Sequence, residues 1–221
     1  MKVLFTLALA AGVIFVGPAV TAPSWPDTAL GRTEALAVVE TLNADLLASS
    51  SATTTLEAWC GEHHMASPAR LAAELVRGID KPVTQAQRWL LRVGPDEPVK
   101  YRRVRLACGG HVLSEADNWY VPGRLTDEMN RVLETTDTPF GRAVAALRPA
   151  RQTLSAEMLW SPLPAGWDLK VGQPAPADGG GRALVIPDAL FRHTAVLYDD
   201  QRRPFSLVVE TYTDEVLDWP R

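Results

Sequence analysis

Cysteine is scarce in this chain: among its 221 residues only Cys60 and Cys108 carry a thiol. They do not form a Cys-x-x-Cys pair, which argues against a redox or metal-binding role for either. Histidine is nearly as rare, with four in all. The one cluster, Glu62-His63-His64, lacks a Glu-x-x-His frame, and adjacent histidines on a helix point about 100° apart, a poor arrangement for sharing an ion. There is no long basic block and the formal charge is −4, which argues against nucleic acid as the main partner. A Gly-x-Ser-x-Gly elbow and a phosphate-binding glycine loop are both missing, so two large classes of enzyme have no support. No internal repeat or low-complexity tract is present.

Apolar residues, by contrast, make up 47% of the chain, enough to bury one full core, and 221 residues is short for two domains. At the N-terminus Lys2 precedes an apolar run from Val3 to Val20, followed by the small residues Thr21 and Ala22. That pattern reads as a secretory signal peptide over residues 1–22. Pro23 disfavours cutting directly after Ala22, so cleavage after Ala19, or a leader retained as a membrane anchor, stays open. The expected location is therefore outside the cytoplasm, periplasmic or secreted, with residues 23–221 forming a single domain. Contact with a membrane is expected only through an uncleaved leader. An oxidising compartment favours a disulfide between Cys60 and Cys108; the alternative is two separate buried thiols.

Beyond the leader, Thr33 to Leu47 carries apolar residues at helical spacing. Thr54 with Glu57 reads as a capping box opening a second helix, and Ser67-Pro68 reads as the start of a short third one. From Gln87 the pattern turns to period two. Strands are expected at Gln87–Val93, Val99–Cys108, Val112–Val121, Thr153–Trp160, Leu190–Tyr198 and Phe205–Thr213, with Gly109-Gly110 as a turn. Helical segments at Thr126–Glu134 and Gly141–Leu147 interrupt them. The fold class expected is α+β: a single antiparallel β-sheet of about six strands with helices packed on it. Gly172–Gly181 reads as a mobile surface loop.

Two charged residues stand out. Strand alternation groups Tyr101, Arg103 and Arg105 on one face, and Arg102, Val104, Leu106 and Cys108 on the other. The Arg103 face is either solvated or lines a pocket where the guanidinium fork meets a carboxylate, and periodicity alone does not choose. Glu210, mid-strand in Leu207–Tyr212, either faces water or is buried as a proton donor. Ser114-Glu115-Ala116-Asp117 puts two carboxylates on one strand face, most simply as a solvated edge.

These residues fall in an order that resembles the chorismate lyase family. The matching pieces are Ser51-Ala52-Thr53-Thr54-Thr55-Leu56-Glu57, the strand holding Arg103, the turn Gly109-Gly110, a partner strand running into Val121-Pro122, the run Thr138-Pro139-Phe140-Gly141-Arg142, and Glu210. The resemblance spans about Ser51 to Thr213. It implies a chorismate lyase-like fold with an internal pocket for a small aromatic or cyclic carboxylate. It further implies a reaction needing no cofactor or metal, in which chorismate is cleaved to 4-hydroxybenzoate and pyruvate. Arg103 would bind the carboxylate, Glu210 would donate a proton at the breaking ether bond, and Ala52 and Phe140 would shape the pocket. Where the family carries Gly-Arg on the second strand, this chain has Asp117-Asn118, exchanging a positive charge for a negative one. The alternative implied is a non-catalytic ligand-binding or interaction protein of the cell envelope that keeps the fold.

Overall fold

The computed structural model describes residues 24–169 and 177–219. The leader at 1–22 lies outside the described residues, as does 172–176 of the expected loop. Six strands form one antiparallel sheet: β1 (Leu71–Leu75), β2 (Lys100–Cys108), β3 (His111–Tyr120), β4 (Ala150–Met158), β5 (Ala189–Tyr198) and β6 (Pro204–Thr213). Their order across the sheet is β1-β2-β3-β6-β5-β4, so the two central strands are β3 and β6. Helices pack on this sheet, and the molecule has the α+β architecture read from the sequence.

Two helices cover one face. α1 (Ala29–Ala48) is capped by Thr28, whose hydroxyl accepts from Gly31 N, and it buries the stripe Ala35, Val39, Leu42 and Leu46. These positions recur every three or four residues, so one side of the helix meets the sheet. Full burial of each leucine contributes about 1.5–3 kcal/mol. α2 (Ala52–Glu62) adds Leu56 and Trp59 to the same core, which Leu106, Leu113, Phe191, Val208 and Tyr212 complete from the strands. A disulfide joins Cys60, near the end of α2, to Cys108 at the end of β2.

Three local expectations are corrected. The cap of α2 is Ser51, whose Oγ accepts from Thr54 N, three residues before the expected box. Glu57 instead receives Leu71 N at 2.9 Å and pairs with Arg142. Residues after Ser67-Pro68 form β1 rather than a helix, because Leu71 and Ala73 are buried in alternation while their backbones pair with β2. Gln87–Val93 is no strand: it belongs to α3 (Gln85–Leu91), fixed by a reciprocal capping box between Thr84 and Gln87. In the described part of the expected loop, 177–181, Asp178 Oδ1 accepts from Ala29 N at 3.0 Å.

The sheet's second face is divided. α3 covers its lower part, packing Leu91 against Trp119, Val196 and Leu207. Further along, the same face is polar: Tyr101, Arg103 and Arg105 of β2 stand opposite Trp119, Asp117 and Glu115 of β3. The face covered by α1 and α2 carries the cavity described next.

Candidate functional site

The cavity lies between the helix-covered face of the sheet and the start of α2. Arg102, Val104 and Leu106 from β2, with Ala116 and Asn118 from β3, form one wall. Val208 and Glu210 of β6, Leu197 of β5 and Arg151 of β4 continue it. Its mouth is made by Ser51, Ala52 and Thr53 at the N-terminus of α2, and by Phe140 and Gly141 of a short helix, Phe140–Ala143. A side chain at Gly141 would bring its Cβ to 3.0 Å from Thr53 Oγ1, so the glycine permits this close approach of the short helix to α2. The volume is about 60 Å³. That is small beside the roughly 300–1,000 Å³ of ordinary small-molecule sites, and below the roughly 150 Å³ of a cavity that takes a benzene ring, so a ring acid enters only if the lining side chains adjust.

Three charged groups reach this space. Arg102 is 6% exposed, and no carboxylate among the described residues pairs with it. Its Nε donates to Leu133 O and its Nη2 to Thr138 O, both at 3.1 Å, while Nη1 makes no protein hydrogen bond. Burial pushes the guanidinium down to about 10, still well above neutrality, so the positive charge remains. Arg151 and Glu210 form a buried pair, Nη2 to Oε2 at 2.6 Å. Burial alone would lower the Arg151 pKa, but the charges of Glu210 and Tyr212 and the hydrogen bond to Glu210 together outweigh it, and the net shift is upward. Tyr212 also donates its hydroxyl to Glu210 Oε2, at 3.2 Å. Asn118, 4% exposed, adds a neutral amide to these charged groups, and its Oδ1 accepts from Ser206 Oγ at 2.7 Å.

Ala52, Phe140 and Glu210 therefore line one cavity; Arg103 does not. It sits on the opposite face, where Nη2 meets Glu115 at 2.5 Å and Nη1 meets Asp117 at 3.1 Å. The placement of Arg103 beside Glu210 is corrected on geometric grounds, since one residue along a strand reverses the side chain. Asp117 also accepts from Lys81 and from Tyr101, each at 2.5 Å. Burial alone would raise its pKa, but Lys81, Tyr101 and Arg103 hold it below the ordinary carboxylate value. His63 packs its ring between Trp59 and Trp219, with Nδ1 against Trp59 O at 2.9 Å. Among the described residues, no group of three or more His, Cys, Asp or Glu side chains is placed to hold a metal ion.

This chain is 51% identical to the uncharacterized protein y4mC of Sinorhizobium fredii over 223 residues, covering 98% of this chain and 93% of that one. It belongs to the y4mC family. No family model matches the chain. In backbone shape it is similar to the effector domain of PhnF from Mycobacterium smegmatis, with a TM-score of 0.45 and 14% identity over 75% of this chain and 90% of that one. A GntR-family transcriptional regulator from Bacillus cereus gives a TM-score of 0.39 and 10% identity, over 68% of this chain and 96% of that one.

Two cavity residues of this y4mC-family chain escaped the sequence reading, and a third was seen only as a charge change. Arg102 had a signal in its favour: alternation groups it with Val104 and Leu106, an apolar set. Arg151 lies at the start of β4, before the Thr153 at which the expected strand begins. Asn118 was noted for the charge it lacks, and its contact with Ser206 required the register of β3 against β6.

Proposed function

We propose that this protein binds a compact carboxylate in the cavity beneath α2, without converting it. The observation that carries this reading is Arg102. Burying a guanidinium with no carboxylate partner in a largely apolar wall is costly, and a ligand carboxylate would relieve that cost. The apolar lining from Val104, Leu106, Phe140 and Val208 suits a ring or other flat hydrocarbon body. Glu210 Oε2 already serves Arg151 and Tyr212, which supports a structural counter-ion rather than a proton donor. As part of the same reading, we place the protein outside the cytoplasm, on the strength of the leader and the joined cysteines.

Calorimetric titration of the oxidised protein with 4-hydroxybenzoate and benzoate tests this. Saturable one-site binding is expected, with no release of 4-hydroxybenzoate when chorismate is supplied. Absence of binding by either acid overturns the ligand reading. Turnover of chorismate overturns the non-catalytic one.

A further inference from the structure

The polar groups of the cavity are arranged by sign. Arg102 and Asn118 are direct partners across β2 and β3, and both side chains line the cavity. The Asn118 carbonyl oxygen is already engaged by the Ser206 hydroxyl, and Ser206 is fully buried behind it. With Oδ1 turned to Ser206, the amide nitrogen is the end left for the cavity. Asn118 thus offers its Nδ2 hydrogens, which no group among the described residues accepts, on the wall it shares with Arg102. One wall is made of donors alone.

Charge is distributed just as unevenly. The lining holds two guanidinium groups and one carboxylate. Arg151 is neutralised by Glu210, leaving the positive charge of Arg102 as the only one for a ligand to balance. Glu210 is opposite Ala116, two residues along β3 from Asn118. At the rise of a strand this sets it about 7 Å from the donor wall, and a second anionic group on the ligand would approach its carboxylate.

We propose that Asn118, held by Ser206, is a specificity residue that restricts the cavity to monoanionic carboxylates and rejects dianions. The proposal rests on the ligand reading above and narrows its substrate class. A neutral amide at this position supplies hydrogen bonds to one carboxylate without the second positive charge that a dianion needs.

The test compares 4-carbamoylbenzoate with terephthalate, which share size and shape and differ by one charge, on the oxidised full-length protein by calorimetry. The monoanion is expected to bind at least about tenfold more tightly than the dianion. Asn118→Arg should close that gap, and Ser206→Ala, which leaves the buried Asn118 Oδ1 without its donor, should weaken the monoanion. If terephthalate binds the parent as well as the monoanion, or if the gap persists in Asn118→Arg, the proposal is wrong while the ligand reading stands. If neither acid binds, and 4-hydroxybenzoate does not bind either, the ligand reading itself has failed and this proposal goes with it. Should Asn118→Arg not fold, the near-isosteric Asn118→Asp replaces it: retention of full monoanion affinity there overturns the proposal, and at least a tenfold loss supports it.

Discussion

Arg102 and Asn118 stand opposite one another on the cavity side of β2 and β3, while their neighbours Arg103 and Asp117 pair on the open side. Two adjacent arginines therefore have separate duties, and this separation is measurable. Arg102→Gln removes the charged donor that faces the cavity. The expected loss of 4-hydroxybenzoate affinity is about 10- to 100-fold, the equivalent of one charge-assisted hydrogen bond at about 1.5–3 kcal/mol. Arg103→Gln breaks a half-exposed ion-pair cluster and is expected to leave affinity within about twofold. Calorimetric titration of both variants decides; equal losses would mean that the cavity is not the binding site.

The buried pair of Arg151 and Glu210 makes a second prediction. Their side chains are 3% and 8% exposed, so neither finds water when the other is removed. Glu210→Leu leaves a buried guanidinium without its counter-ion and is expected to cost about 3–5 kcal/mol of stability. Arg151→Met together with Glu210→Leu removes both charges and should recover most of that loss. Urea unfolding of the two single variants and the double variant closes the cycle. Additive losses would contradict the pairing.

Much of the sheet was legible because a half-buried strand writes its own period. Lys100–Cys108, His111–Tyr120 and Pro204–Thr213 were read to within one residue. The errors lie where local signals compete. Gln85–Leu91 has strand-like apolar residues, yet the reciprocal cap between Thr84 and Gln87 commits it to a helix. Leu71–Leu75 follows a helix-start signal, yet backbone pairing with β2 decides it. The cavity was less legible. Alternation divides a strand into two faces without saying which is covered, so Arg102 and Arg103 were separable but not assignable. That choice is made by α1 and α2, whose apolar stripes settle on the Arg102 side.

The disulfide links segments separated by 48 residues. In the chain-entropy model a closed loop of that length stabilises the folded state by about 4 kcal/mol, and measured values commonly fall near 2–4. The double variant Cys60→Ala with Cys108→Ala should lower the urea midpoint accordingly. The cysteines join the end of α2 to the end of β2, and the other end of α2 forms the cavity mouth. Affinity for 4-hydroxybenzoate is therefore expected to fall as well. Unchanged stability in the double variant would show that the bridge adds nothing to the fold.

His193 supplies the pH prediction. It is fully buried on β5, and its Nε2 donates to Asn43 Oδ1 at 2.8 Å, while Nδ1 has no hydrogen-bond partner among the described residues. Burial lowers its pKa below the ordinary 6.5, the nearby Arg151 charge lowers it further, and Glu210 only partly opposes them. The unfolded chain therefore binds this proton more readily than the native one. The stabilising contribution is complete above pH 6.5 and is lost as pH falls toward the folded-state value. Asp117 and Asp199 are also shifted downward, but from 3.8, so their contributions are lost only in stronger acid. Stability of the parent in thermal unfolding should weaken as pH falls below 6.5, and His193→Gln, which keeps a donor for Asn43, should flatten that slope. An identical slope in the variant would mean that His193 does not titrate on unfolding.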